Sequence, residues 1–140
     1  MKKKTSALVI VNSASLVTML FANFAGAIGF FSSENVGDIS HKYDTLFAPA
    51  GYTFIIWSLI FLLAICFVIY QWILLKNCDP KKYIEHTGIW FVAGNVANVC
   101  WIYCWLNEQL GLSVICILVL LLSLIILTIK LRLELDDVPV

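Results

Sequence analysis

Asp38, His41 and Asp44 stand three residues apart, a carboxylate–imidazole–carboxylate series with the ligand chemistry for a divalent metal. No fourth ligand accompanies them, so they read as a solvated connection and no metal is assigned. Cys66, Cys100, Cys104 and Cys116 fall inside apolar runs and Cys78 between two of them. There is no C-x-x-C and no histidine at ligand spacing from a cysteine. They read as small packing residues, not a disulfide framework. The sequence holds no nucleophile elbow, phosphate-binding glycine loop or H-E-x-x-H. No paired carboxylates lie within an apolar run to relay protons. No catalytic residue is assigned, and the expectation is a protein that is not an enzyme.

What remains is recognition chemistry. Phe54, Trp57, Phe61, Ala64, Val68 and Gln71 recur at steps of three and four, one stripe of a helix. Trp90, Gly94, Asn98, Trp101, Trp105 and Glu108 form a second aromatic stripe, on a helix whose other stripe, Ala93, Ala97, Cys100, Cys104 and Asn107, is small. Indoles gather at membrane interfaces for generic reasons, which suffices for Trp72 and Trp90. Asn98 and Trp101 lie deeper. An interhelical bond from a membrane-buried amide is worth only about 0.6 kcal/mol on average, so Asn98 fits both helix glue and a ligand contact; Asn95 reads as glue. Pro49 and Gly51 suit a helix start, followed by Tyr52, Phe54 and Trp57 as a lip of rings. Two neighbouring spans are expected to turn their rings toward each other and leave a slot. Aromatic walls with one or two amides suit a flat, mostly apolar ligand.

The elements that must carry these residues follow from composition. Of 140 residues, 61% are hydrophobic and 13% charged, and the mean hydropathy is +0.94. That is too little polar material for a soluble shell. Four apolar runs, at about 6–31, 52–75, 87–107 and 110–129, are each long enough to cross a hydrocarbon core of roughly 30 Å. Backbone groups in lipid must be satisfied within a segment, so the expected fold is all-α, a single multi-pass membrane domain over 1–140. Membrane lipid is then its first partner. Lys2–Lys4, Lys76, Lys81, Lys82, Lys130 and Arg132 fall on one side, which predicts cytoplasmic N- and C-termini. The opposite loop, 32–51, carries only Lys42. Net charge is zero, which gives no footprint for nucleic acid.

The first run has a second reading. Three lysines, an apolar stretch and "AGA" at 25–27 resemble a cleaved secretory signal. Its length and its polar interruptions favour a retained helix. Asn12 and Asn23, eleven apart, share a face, and Ala22/Gly26 and Ala25/Gly29 are small-xxx-small pairs that favour close helix contact. The fourth run is almost purely aliphatic and reads as lipid-exposed.

"FAPAGYTFIIWSLIF", residues 47–61, and "NVCWIYCW", residues 98–105, resemble the tryptophan-rich sensory protein family, bacterial relatives of the translocator protein (peripheral benzodiazepine receptor). "PAGY", "VIYQ" and "EQLGLS" resemble a divergent bacterial branch of it. The resemblance implies a bundle in the bacterial cytoplasmic membrane, often a homodimer. It binds tetrapyrroles (porphyrin or haem) or sterol-like molecules and requires no cofactor. It implies Tyr52, Phe54, Trp57, Asn98, Trp101 and Trp105 as pocket residues, to which the stripe adds Phe61. The family fold has five helices, and the fifth has no counterpart before Val140, so a truncated chain and a natural four-helix form are both open. A structural or accessory membrane subunit without its own ligand is the alternative, and porphyrin degradation a minority one.

Overall fold

A computed structural model describes residues 2–43, 55–77 and 81–136. Five helices account for nearly all of them: α1 (Lys2–Ala27), α2 (Val36–Lys42), α3 (Ile55–Asn77), α4 (Lys81–Leu106) and α5 (Leu110–Asp136). No strand occurs among the described residues. Four helices hold stretches long and apolar enough to span a bilayer: Lys4–Ala27, Ile55–Lys76, Gly88–Leu106 and Leu110–Arg132. The chain is an all-α multi-pass bundle.

The helices overrun or fall short of the apolar runs for local reasons. α1 stops at Ala27, before the expected 31. Gly29 takes φ +75°, and the amides of Gly29 and Phe30 fold back onto the carbonyls of Gly26 and Ala25. This is a Schellman stop, which suits glycine because it carries no Cβ. α4 begins at Lys81, six residues before its apolar run, and α5 continues to Asp136, seven beyond the expected end of its own. Hydropathy marks the membrane and not the helix, since charged residues are good helix formers.

Part of the connection expected as a solvated loop is helical. Asn35 caps α2: its side chain accepts from the amides of Gly37 and Asp38, and Asp38 accepts in return from the Asn35 amide at 3.0 Å. This reciprocal box satisfies backbone donors that a seven-residue helix has no length to satisfy. The helix is not solvated all round, because Ile39 is fully buried.

Successive spans alternate in direction, and α4 is the hub. It packs closely on α5 and on α1, while α3 packs on α1. Gly26 makes the α1–α4 approach close: a Cβ there would sit 3.0 Å from Ile102 and Leu106 side-chain carbons. Of the two small pairs, Ala22/Gly26 lies in this seam, whereas Gly29 has become the helix stop. One apolar cluster gathers Leu16, Met19, Val68, Phe91 and Leu127; another gathers Ala22, Ile39, Trp101, Ile102 and Leu106 at the α2 end. α5 exposes a long aliphatic face, including Leu118, Leu121, Leu122 and Ile125.

Candidate functional site

α3 reaches α4 through aromatic rings. The expected stripe of α3 is its inward face: Val68 and Gln71 are buried and Trp57, Phe61 and Ala64 half-buried. Ile55, Ile56, Leu59, Leu62 and Leu63 on its other faces are exposed. Trp57 lies against Trp101 with ring centroids 4.8 Å apart and planes 18° from parallel. Trp105 continues the stack from Trp101 at 6.1 Å, and Phe61 joins Trp57 at 6.2 Å. Lower down, Phe67 meets Phe91 at 4.9 Å.

The expected slot between the rings is therefore closed. A flat guest between two indoles needs about 7 Å, twice an ordinary carbon contact. The period of a helix gives the direction a ring faces, and two rings facing each other across a membrane gap gain by stacking. The open space lies on either side of Trp57 and Phe61. Toward α2 is an outer chamber of about 390 Å³, lined among others by Asn23, Ser40, His41, Ser58, Phe61 and Ile102. On the other side is a lower chamber of about 290 Å³, walled by Phe67, Phe91 and Trp90 and by Leu120, Leu124 and Leu127 of α5. Trp57 and Phe61 line both.

α2 forms the roof of the outer chamber. Ile39 enters the cluster around Trp101 and Leu106, and Trp105 donates its indole N–H to the Val36 carbonyl at 3.2 Å. The roof is tied down at its far end. Glu108 accepts from Lys42 Nζ and, at 2.6 Å, from the Tyr43 hydroxyl, and Glu34 adds a contact to Lys42 at 3.6 Å. Glu108 holds φ +56° at the α4 stop, the place where glycine is usual. The hydrogen bonds from Lys42 and then Tyr43 hold the Glu108 carboxyl below its ordinary range. The same bonds push Lys42 and Tyr43 up.

Amides line the seam with α1. Asn23 donates to the Met19 carbonyl at 2.8 Å and to Asn98 Oδ1 at 2.6 Å. Asn95 donates to Ser15 Oγ at 2.9 Å, and Ser15 donates to the Asn12 carbonyl at 2.9 Å. Asn98 is thus both glue and a chamber wall, and so is Asn95. Toward the other end Asn12 donates to Gln71 Oε1 at 2.9 Å in a fully buried amide pair. Asn12 Oδ1 and Gln71 Nε2 have no partner.

Of the residues expected to bind ligand, Trp57, Phe61, Asn98 and Trp101 converge on the chambers, and Trp105 stacks behind them under α2. Tyr52 and Phe54, with Pro49 and Gly51, lie outside the described residues. Asp38 is engaged in the α2 cap, Asp44 lies outside the described residues, and no group of three or more potential metal ligands occurs among those described. Cys66, Cys100, Cys104 and Cys116 are free thiols. Sequence reasoning missed the roof residues Asn35 and Ser40, and read His41 as part of a solvated connection where it lines the chamber. The Asn35-x-x-Asp38 spacing was the available signal, as a capping pair.

Comparison with curated proteins and with solved structures returned no match. A family model described as TSPO-like protein matches residues 9–138, which takes in most of the first span, the other three, the stacked indoles and both chambers. With so much of its length matched, and with that bundle in place, the chain belongs to the TSPO-like protein family.

Proposed function

We propose that this protein binds a flat, mostly apolar small molecule, tetrapyrrole or sterol-like, in the chambers beside the Trp57–Trp101 stack. The observation that carries this reading is the partition itself. Trp57, stacked on Trp101, and Phe61 stand between cavities of about 390 and 290 Å³ whose walls are largely apolar. Apolar concave space with a few fixed polar groups is the general form of a small-molecule site. The reading is of a binding protein and assigns no catalytic residue. It puts both termini on the cytoplasmic side, because the basic residues cluster at the end opposite α2, and takes the bacterial cytoplasmic membrane from the family resemblance alone.

The test is tryptophan fluorescence of the purified protein titrated with protoporphyrin and with a fluorescent sterol. Saturable quenching or energy transfer is expected, and the Trp57→Leu/Trp101→Leu double variant should weaken it at least about tenfold. Equal affinity in the double variant would remove the indole partition as a binding site. The chain would then be a bundle in which the aromatic stripe serves packing alone.

A further inference from the structure

Resting on that binding reading, we infer that the lower chamber selects a neutral ligand bearing a group that both donates and accepts a hydrogen bond, such as a hydroxyl. It selects against an anionic group there, so the carboxylates of a tetrapyrrole are left to the outer chamber, whose lining includes Ser40 and His41.

The argument starts from two backbone carbonyls of α1. A carbonyl only accepts, so it fixes the polarity of whatever bonds to it. The Met19 carbonyl takes a hydrogen from Asn23 Nδ2, which sets the Asn23 amide with its NH2 toward Asn98. Asn98 must then offer its oxygen, and its own NH2 is left for the chamber it lines. The second chain runs the other way. The Asn12 carbonyl takes the hydroxyl hydrogen of Ser15, so the Ser15 oxygen accepts and Asn95 must donate its NH2. Asn95 is left with a carbonyl oxygen.

Neither leftover atom is sealed in. Among the described residues, the buried side-chain polar atoms without a partner are Asn12 Oδ1 and Gln71 Nε2. The lower chamber therefore presents one N–H donor and one C=O acceptor, three residues apart on α4, in otherwise aromatic and aliphatic walls. None of its described lining residues is ionisable. A carboxylate entering it would meet no countercharge and would face the Asn95 oxygen, an expensive position in low dielectric. A hydroxyl accepts from Asn98 and donates to Asn95, satisfying both.

Three probes with one apolar body separate these possibilities: pyrenebutanol, its methyl ether and pyrenebutyrate, read by energy transfer from tryptophan in nanodiscs. The ether can accept but not donate, and the butyrate is an anion. The expected result is affinity for the alcohol at least about tenfold above the ether, since a bound ether leaves the Asn95 acceptor without a partner, with the butyrate weaker still. Asn98→Leu should erase the preference. So should Asn23→Leu, which leaves both lower-chamber amides in place and removes the bond that orients Asn98, together with the Asn23 bond to the Met19 carbonyl. The wild-type probe series stands even if a variant fails to fold. Equal binding of the three probes, still dependent on Trp57, would overturn this inference and leave the binding reading intact; tightest binding of the butyrate would do the same. Binding of none would overturn both.

Discussion

α1 and α3 both flank α4, and they are held there by different physics. The α1 seam is close: Gly26 admits Ile102 and Leu106, and amides bond across it at two levels. α3 is connected to α4 by ring stacks with space around them. In lipid, where apolar burial gives little drive for helices to associate, small residues and interhelical hydrogen bonds make a seam and large rings make a gap. The seam orients the amides, and the gap holds the chambers they face.

The largest expected effect comes from attacking the seam. Gly26→Leu inserts a branched side chain where even a methyl is crowded, and should lower stability by about 2–3 kcal/mol, read as thermal unfolding in detergent micelles. An equal loss from enlarging Ala64, on the α3 side of the lower chamber, would abolish the contrast. Next is the buried amide pair. Asn12→Leu leaves the Gln71 amide buried without its donor and should cost about 1–2 kcal/mol, whereas Asn12→Leu with Gln71→Leu should recover most of it. Additive losses in the double variant would show that the pair is not a unit. On the gap side, Trp57→Leu gives up one stacked pair, a loss of about 1 kcal/mol, while ligand quenching falls far more; stability and binding should separate there.

The smallest effect concerns the roof. The Glu108 carboxyl is held low, so its grip on Lys42 and Tyr43 is fully present above the ordinary carboxylate range and is lost only as pH falls through its depressed value. Lys42 and Tyr43 are raised, so on the alkaline side the grip is present at neutral pH and is lost as pH rises past their ordinary ranges. Hydrogen exchange of the α2 amides should be flat across neutral pH once corrected for intrinsic rate, and should accelerate below about pH 4, the ordinary carboxylate range. Glu108→Gln should accelerate it across neutral pH and abolish the acid step. Exchange left unchanged by Glu108→Gln would remove that carboxylate as the tie of the roof.

Length and hydropathy made the four spans legible, and helical spacing put Trp57 and Trp101 on facing stripes. Spacing carries no distance between helices, which is why a slot was expected where the rings touch. α2 was illegible for another reason: seven residues give too few turns for an apolar period, and Asp38, which closes the α2 cap, read as part of a solvated connection. The positive φ at Glu108 has no signature in residue type, because glycine is the residue that ordinarily announces it. The polarity of the amides likewise depends on which backbone carbonyl each neighbour finds.

One consequence of the partition at Trp57 and Phe61 concerns time. Shifting whole helices past one another takes microseconds to milliseconds, whereas side chains change rotamer in nanoseconds or less when unhindered. Because Trp57 and Phe61 meet both chambers with side chains and not with backbone, torsions about single bonds are enough to join the two spaces while every span stays where it is.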